Sequence, residues 1–309
     1  MDRGMNKVII IKRRTRLEDL KKRYNTIEQA KFYIEHLGAD FTDYELEHEN
    51  YYASLNLVRI IATRYARVQE VDRDYISSMI FGKDDVVIAV GQDGLVANVM
   101  KYLNGQPLIG VNPDIKRWDG KLLNFEAIDM ERVLPRIFDG NFSEKHITMA
   151  KATTRDGQVL YAVNDIFLGV NNHTSARYTI NYNEICENQS SSGVIISTGF
   201  GMTGWHRSIM AEFAGMAKAF NLGNFKIPEY AWDSKALTFH VREPYPSVFT
   251  EADLVYGTVT EKDNLSFVSN MGENGVLFSD GITDDAIDFT AGMEIKVAIA
   301  ERFGRLVMN

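Results

Sequence analysis

The chain has 309 residues, of which 45% are hydrophobic, so it can bury a sizeable core in two domains or in one elaborated domain. Its formal net charge of -8 argues against general binding of nucleic acid or of anionic membranes. The single cysteine, Cys186, excludes an internal disulfide framework, and no apolar run approaches the roughly 20 residues that span a bilayer. We therefore expect a cytoplasmic protein that binds neither nucleic acid nor membrane.

The first half of the chain alternates predicted strands and helices. Residues 8–11 form an apolar strand, followed by a basic run at 12–16. Such a run is usually a solvated loop, although the carboxyl end of a strand also suits the phosphates of a nucleotide. Thr26 is the predicted N-cap of a helix, and further helices are predicted at 55–65 and 125–138. The residues expected on the buried face of the Thr26 helix are Ile27, Ala30, Ile34 and Leu37.

The most informative stretch is an apolar strand, 86–90, that runs directly into the turn 91–94, where two glycines surround Asp93. A helix at 95–103 and a second strand at 107–111 follow, which places the turn at the carboxyl end of a parallel strand. Ligands bind there in open α/β sheets, and glycines let backbone N–H groups approach an anion. The carboxylate suits a proton acceptor or a metal ligand, while the alternative is an ordinary Asp-Gly turn.

Near residue 145 the pattern changes to a series of strands. The first is an alternating stretch that begins with Ile147, Met149 and Ala152, and a hairpin-type turn follows it at 155–157. The later strands are short. They are predicted at 159–163, 167–170, 176–182, 193–196, 237–241, 265–268, 276–278 and 293–299, with one helix at 205–220. We expect an α/β domain with a Rossmann-like parallel sheet at 1–145 and an all-β, sandwich-like domain at 146–290. The C-terminal segment, 291–309, is expected to pack back on the first domain.

Two polar segments of the second half are further candidate sites. Asn164 and Asp165 interrupt an apolar pattern, and a carboxylate beside an amide can hold a vicinal diol, while the alternative is a bulge or turn. The loop 197–205 is rich in glycine and hydroxyl groups before a helix, which suits phosphates or an adenine-type ring. The alternative there is that Thr203 only caps the helix. The histidines show no metal-ligand spacing, although His206 lies beside this loop, and no metal site is predicted.

Taken together and in this order, these loops resemble those of the NAD kinase family. The family pattern Gly-Gly-Asp-Gly-Thr corresponds to residues 91–95, and Asn112 follows the next strand. The Asn-Glu pair of the family corresponds to residues 164–165, and its hydroxyl-rich adenine loop corresponds to 197–208. Its closing Asp-Gly and Gly-Asp strands resemble 277–281 and 291–293. The resemblance covers almost the whole chain.

Three features are similar to the mitochondrial-type branch of that family in particular. The basic turn 13–16 follows the first strand, as a Lys-Thr-Thr-Arg sequence does in that branch. The loop after Asn112 is longer than usual and ends at Gly120. Ser-Ser-Gly at 191–193 stands where most members have an Asp-Gly that helps bind the nicotinamide end.

The resemblance implies that a phosphoryl group passes from ATP, with Mg²⁺, to the adenosine-ribose 2′-hydroxyl of NAD, giving NADP. Asp93 would act as general base, and Asn164 and Asp165 would hold ribose hydroxyls. Trp205 would replace the usual Tyr as a stacking surface, and a homodimer or homotetramer is expected. The other residues assigned to nucleotide binding are Gly91, Gly94, Asn112, Thr203, Gly204 and Ser208, with Arg13 and Arg16 on the ATP side.

The chain departs from the family pattern beside the general base. Gln92 replaces a glycine and Leu95 replaces a threonine, while Asp165 is one methylene shorter than the usual Glu and reaches roughly 1.5 Å less far. These departures keep two alternatives open. One is a catalytically weak or inactive nucleotide-binding protein that serves as a sensor or in assembly. The other is a kinase for a different hydroxylated substrate, such as a lipid or a sugar.

Overall fold

The computed structural model describes residues 7–118, 120–223 and 228–309. The chain divides into two compact units, of which the first extends to Lys145 and also includes Arg305–Asn309. The second unit is His146–Gly304. Residues 1–6, which the sequence analysis assigned to the first domain, lie outside the described residues.

The first unit is built on a parallel sheet. Its strands are β1 (Lys7–Lys12), β2 (Arg67–Asp72), β3 (Val86–Val90) and β4 (Pro107–Val111), in the order β2-β1-β3-β4. Their pairing is parallel throughout. β3 is buried along its whole length, as expected for a parallel strand covered on both faces. The predicted Rossmann-like sheet is therefore confirmed.

Helices pack on this sheet through an apolar core. They are α1 (Arg16–Tyr24), α2 (Ile27–His36), α3 (Thr42–Thr63), α4 (Asp93–Met100) and α5 (Met130–Phe138). Leu55 and Val58 of α3 join Ile88 of β3 and Leu134 of α5 in one buried cluster. The helix predicted at 55–65 is thus the second half of a longer one. Within the described residues, no helix is both long and apolar enough to cross a bilayer.

The prediction for α2 is correct at its start and wrong along its face. The Thr26 hydroxyl accepts a hydrogen bond from the Gln29 N–H at 3.2 Å, so the predicted N-cap is confirmed. Ala30 is buried, but Ile27 and Leu37 are exposed. The reason is that α2 meets only a small cluster, whose buried members are Leu17, Ala30 and Phe41.

The second unit contains two sheets whose inner faces share one core. The strands are β5 (Ser143–Thr154), β6 (Val159–Ala162), β7 (Asp165–Val170), β8 (Ala176–Tyr182), β9 (Ile185–Ser191), β10 (Val194–Ser197), β11 (Leu237–Val241), β12 (Tyr256–Val259), β13 (Leu265–Ser269), β14 (Gly275–Ser279), β15 (Ile282–Asp288) and β16 (Glu294–Met308), and the helix is α6 (Trp205–Ala219). One sheet has the antiparallel order β12-β11-β10-β7-β14-β15, and the other includes β16-β13-β8-β9 with β5 and β6. Leu168, Ile196 and Phe239 of the first sheet pack with Tyr178 and Phe267 of the second. This confirms the predicted sandwich-like class.

The C-terminal segment is shared between the two units. Arg305 and Leu306 pair in parallel with the start of β4. The earlier part of β16 pairs with β13 and places Ile295 and Val297 in the core of the second unit. Only 305–309 of the predicted segment 291–309 therefore belongs to the first unit.

Candidate functional site

Asp93 is the first residue of α4, immediately after β3 and the turn that follows it. Its Oδ2 accepts a hydrogen bond from the Lys121 N–H at 2.8 Å, and its Oδ1 accepts one from the Leu122 N–H at 2.9 Å. A carboxylate offers about four acceptor positions, so each oxygen keeps capacity for one more donor. Asp93 thus orders the loop that contains Lys121 and Leu122. It also remains able to accept a hydrogen bond from a hydroxyl group.

Close backbone packing fixes the loop that Asp93 binds. A Cβ added to Gly110 in β4 would lie 2.0 Å from the Leu122 carbonyl oxygen, a distance that no side chain can occupy. Only glycine at this position lets the loop approach the strand. Because Gly110 has no side chain, the loop can pack against β4, and this packing positions the Leu122 N–H to bind Asp93.

Of the two departures from the family pattern beside Asp93, the structure explains Leu95 but not Gln92. Leu95 is buried, and its Cδ2 lies 3.0 Å from the position that a Cβ on Gly91 would take. It therefore fills the space behind the turn, where the hydroxyl of a threonine would be desolvated. Gln92 occupies the N-cap position of α4 without a capping hydrogen bond from its side chain, and nothing in the structure explains it.

Asn112 uses its amide group within its own loop. Its Nδ2 donates to the Trp118 carbonyl at 2.8 Å, and its Oδ1 accepts from the Asp114 N–H at 3.0 Å. The side chain is also buried. Asn112 therefore shapes the loop that leads to Gly120.

Arg13 and Arg16 at the end of β1 are paired with carboxylates that the sequence analysis did not single out. The Arg13 Nη2 donates to Glu47 Oε1 at 2.9 Å, and the Arg16 Nε donates to the other oxygen of Glu47. Arg16 Nη2 also donates to Asp43 at 2.7 Å. Burial alone would raise the pKa of Glu47, but the hydrogen bonds from Arg16 and Arg13 outweigh it and lower that pKa. Because Arg16 begins α1, the predicted basic loop is wrong at this residue, and Thr15 is instead a helix cap.

In the second unit, Asp165 and Asp280 lie beside each other. Asn164 lies in the bend between β6 and β7, and Asp165 is the first residue of β7. The Asp280 carboxylate, in the turn between β14 and β15, accepts hydrogen bonds from three successive N–H groups at 3.0, 2.6 and 3.2 Å. These belong to Val163, Asn164 and Asp165. Asp280 thus fixes the backbone that carries the predicted diol-binding pair.

The substitution Asp165→Asn is expected to remove a pH dependence of stability. Burial, and then the nearby Asp280, raise the pKa of Asp165 to about 7. Between an unfolded pKa near 4 and this value, the folded state binds more protons than the unfolded state, so this group's contribution to the free energy of unfolding falls as the pH rises. Urea titrations measure the free energy of unfolding of both proteins. Between about pH 4 and pH 8, the value for the variant should rise by a few kcal/mol relative to that of the parent chain.

The exposed residue Asp288 on β15 offers a matched control, because Asp288→Asn removes the same charge from the same unit. Its difference from the parent should be small at every pH. The buried histidines of this unit are present in all three proteins, so their titration cancels in the comparison. A difference for Asp165→Asn that does not change with pH would contradict the account.

Thr198 organises the glycine-rich loop after β10. Its hydroxyl donates to the Val163 carbonyl at 2.5 Å and accepts from the Gly201 N–H at 3.1 Å. A Cβ on Gly201 would lie 2.0 Å from the Asn164 carbonyl oxygen. The loop is therefore packed directly against Asn164, at an approach that only glycine permits.

The start of α6 does not match the alternative in which Thr203 caps this helix. Gly204 is the N-cap, and the Thr203 hydroxyl turns back to donate to the Phe200 carbonyl at 3.2 Å. Thr203, Gly204 and Ser208 are exposed together at the first turn of the helix. They are therefore accessible to a ligand.

Trp205 is already stacked within the second unit. Its ring lies parallel to that of Phe167, with centroids 5.6 Å apart and planes inclined by 12°. The Arg242 guanidinium lies 5.4 Å from the centroid of the indole ring. Trp205 is therefore a pre-positioned aromatic surface with a cation beside it.

His206 and His240 form a buried pair rather than a metal site. Their ring centroids are 4.8 Å apart, and burial lowers the pKa of His206. Burial, and then the neighbouring His206, lower the pKa of His240 to about 4, so both rings are neutral at pH 7. Across the described parts of the chain, no group of three or more His, Cys, Asp and Glu side chains could hold a metal ion. The described residues thus form no dedicated protein cage for Mg²⁺.

Comparisons with known proteins identify the fold. No family model matches the sequence, and no curated protein matches it. The structure is similar to a yeast NADH kinase complexed with NADH, with a TM-score of 0.59, 14% identity and coverage of 99% of this chain and 84% of the other. It is also similar to an NAD kinase from Archaeoglobus fulgidus in complex with ATP, with a TM-score of 0.55, 13% identity and coverage of 99% and 94%. The chain therefore has the fold of the NAD kinases.

Proposed function

We propose that this chain is an NAD kinase, which transfers the γ-phosphoryl group of ATP to the adenosine-ribose 2′-hydroxyl of NAD and forms NADP. The observation that carries the proposal is the shared fold along nearly the whole chain, with Asp93 following β3 at the helix N-terminus. Phosphoryl transfer depends mainly on positioning and electrostatics, with a carboxylate to orient or deprotonate the attacking hydroxyl. The half-buried carboxylate of Asp93 has the free acceptor positions that this role needs.

On the acceptor side, the second unit supplies the groups that bind the nucleoside. Asn164 and Asp165 hold ribose hydroxyls, on a backbone that Asp280 fixes. Trp205 provides an aromatic surface for the base. Thr203, Gly204 and Ser208, which share the exposed first turn of α6, line the adenine subsite.

On the donor side, the first unit supplies the groups that bind phosphates. Gly91 and Gly94 give backbone N–H groups access to the phosphate chain. Asn112 shapes the adjacent loop. Arg13 directly follows β1, and Arg16 begins α1. Mg²⁺ is proposed to arrive with ATP, since this ion is usually held by phosphates and one or two carboxylates, and it supplies charge neutralisation there. In the proposed phosphoryl transfer, the 2′-oxygen of the ribose bonds to the γ-phosphorus of ATP, and ADP leaves. The proton of the 2′-hydroxyl passes to Asp93.

A second candidate acceptor, a lipid alcohol, is favoured by one observation. The second unit contains a mostly apolar cavity of about 610 Å³ beside α6. Its lining includes Ile209, Phe213, Met216, Val241, Val255 and Tyr256. A cavity of this size and character fits an acyl chain better than a sugar.

We also propose a homodimer or homotetramer in the cytoplasm, assembled through the second unit. Phe213 and Met216 on α6, and Phe220 just after it, are apolar side chains with about half or more of their surface exposed. Large exposed apolar patches on soluble proteins commonly mark contact surfaces.

An acceptor comparison tests the proposed substrate. The full chain is incubated with ATP and Mg²⁺ and, in separate reactions, with NAD, NADH, a single-chain lipid alcohol or glucose, and ADP release and phosphorylated product are measured. The expected result is kcat/KM for NAD or NADH at least about tenfold above that for the lipid or the sugar. Faster phosphorylation of the lipid would overturn the proposal in favour of the second candidate.

A further inference from the structure

Three arginines of the first unit converge on two carboxylates beside the proposed donor site. Arg13 and Arg16 share Glu47, while Arg16 and Arg117 share Asp43. Arg117 binds Asp43 in a bidentate manner, with its Nη1 3.0 Å from Oδ2 and its Nη2 hydrogen-bonded to Oδ1. The Nε of Arg117 also lies 3.8 Å from Asp114 Oδ2, so the three guanidinium groups are paired with three carboxylates in all.

The two carboxylates differ in exposure. The Glu47 side chain is 2% exposed and its partner Arg13 is 11% exposed, so this pair is an internal anchor. The Asp43 side chain is 44% exposed, and Arg16 beside it is 40% exposed. Asp43 is thus the partner that solvent, and an ion from solvent, can replace.

The cluster borders both segments that hold Asp93. The Nε of Arg13 lies 3.4 Å from the position that a Cβ on Gly91 would take. The Tyr51 hydroxyl accepts from the Arg13 N–H at 2.8 Å and donates to the Val90 carbonyl at 3.3 Å, which ties the end of β1 to the end of β3. Arg117 lies on the loop that continues to Lys121, whose N–H binds Asp93.

The cluster also has unused donor capacity. The buried Nε–H groups of Arg13 and Arg117 donate no hydrogen bond within the described residues, and the Arg117 Nε has only the longer contact of 3.8 Å with Asp114. Buried donors are normally paired, and a guanidinium group matches the oxygens of a phosphate as well as those of a carboxylate. A polyphosphate in the place of Asp43 would offer more oxygens than one carboxylate to the guanidinium groups of Arg16 and Arg117.

We propose that Asp43 occupies the place of a phosphate group on Arg16 and Arg117, and that the polyphosphate chain of the phosphoryl donor displaces it while Glu47 keeps the arginines in position. The inference rests on the proposed function for the identity of the donor. It adds Arg117 to the donor-binding groups and makes Asp43 an internal competitor for them. The carboxylate keeps the arginines ordered and paired when no donor is bound, and it leaves when a stronger anion arrives.

The test measures binding of inorganic tripolyphosphate to the full chain by titration calorimetry at fixed ionic strength. Asp43→Asn should tighten the Kd about threefold to fivefold, because exposed ion pairs contribute up to about 1 kcal/mol that the anion no longer has to overcome. Arg117→Gln should weaken it about tenfold, since a charge-assisted bidentate contact is lost. Thermal unfolding of each variant establishes that it is folded under the same conditions.

A matched control separates the site from the overall charge. Glu131→Gln removes the same charge from an exposed ion pair with Arg64 elsewhere in the first unit, and it should leave the Kd unchanged. The inference is overturned if Asp43→Asn fails to tighten binding, if Glu131→Gln tightens it equally, or if Arg117→Gln has no effect.

The outcomes also separate this inference from the proposed function. Tighter tripolyphosphate binding by Asp43→Asn without any NADP formation by the parent chain would support the anion site and refute the kinase. NADP formation by the parent, with an unchanged Kd for tripolyphosphate in Asp43→Asn, would refute the anion site alone.

Discussion

The substitution Asp93→Asn is expected to lower kcat for NADP formation on the order of 10²- to 10⁴-fold, because an amide cannot take the proton of the 2′-hydroxyl. The Kd for NAD should change little, since the groups proposed to bind the nucleoside belong to the second unit. Steady-state kinetics and NAD titration of the same preparation measure both quantities. A variant that retains about a third or more of the parent kcat would contradict the role of general base.

The structure requires a control for this experiment, since Asp93 also holds a loop. In the variant, the Asn NH₂ group would face one of the two backbone N–H groups that the carboxylate now binds, at Lys121 and Leu122. Gly120→Ala provides the control, because its Cβ would lie 2.5 Å from Leu123 Cδ1 and 2.9 Å from Asp93 Oδ1, and would disturb the loop and its contact with Asp93 while the carboxylate remains. An equal loss of kcat in Gly120→Ala would assign the effect of Asp93→Asn to the loop rather than to proton transfer.

The substitution Glu47→Ala is expected to destabilise the chain by about 3–5 kcal/mol, because it leaves a buried guanidinium without its partner. Arg13 is nearly buried and Glu47 is its carboxylate partner. Urea unfolding at pH 7 measures the loss. Glu131→Ala, which breaks the exposed pair with Arg64, should cost about 1 kcal/mol or less.

The contact of Glu47 with the arginines can also be tested through the pH dependence of the free energy of unfolding. Since the pKa of Glu47 is lowered in the folded state, its stabilising contribution is present above the unfolded pKa and is lost as the pH falls. The cost of Glu47→Ala should therefore shrink under acid conditions. A cost below about 1 kcal/mol at pH 7 would show that the pair is no stronger than a surface one.

The elements of the fold were predictable where the apolar sequence pattern is strong. They were not predictable where a strand is held mainly by hydrogen bonds to a neighbouring strand. The unit β3-α4-β4 follows from apolar runs bounded by glycine and proline. The strands absent from the prediction, β2, β9, β12 and β15, all lie at the edge of a sheet. An edge strand is held largely by hydrogen bonds to one neighbour, so its own sequence carries a weak hydrophobic pattern.

One missed helix did carry a readable signal. Thr15 and Glu18 form a capping box at the start of α1, in which each side chain binds the backbone N–H of the other residue. The spacing Thr-x-x-Glu is a known sequence sign of a helix start. The basic character of the preceding residues drew the interpretation toward a loop instead.

The candidate site was predictable in its motifs but not in its supporting contacts. The turn at Asp93 and the pair at 164–165 stand out as polar interruptions of apolar strands. Their partners lie far away in sequence: Leu122 for Asp93, and Asp280 for Asn164. Local pattern carries no information about such pairings, because only the topology of the sheets brings these residues together.

The central claim is tested most directly by incubating the full chain with NAD, ATP and Mg²⁺ and measuring NADP with an NADP-specific dehydrogenase. Nucleotide binding is measured in parallel by calorimetry, so that a folded and binding-competent sample is established. NADP is expected to accumulate with time and in proportion to the protein added. NAD or ATP bound in the calorimeter with no NADP formed would contradict it and would leave a nucleotide-binding protein without kinase activity.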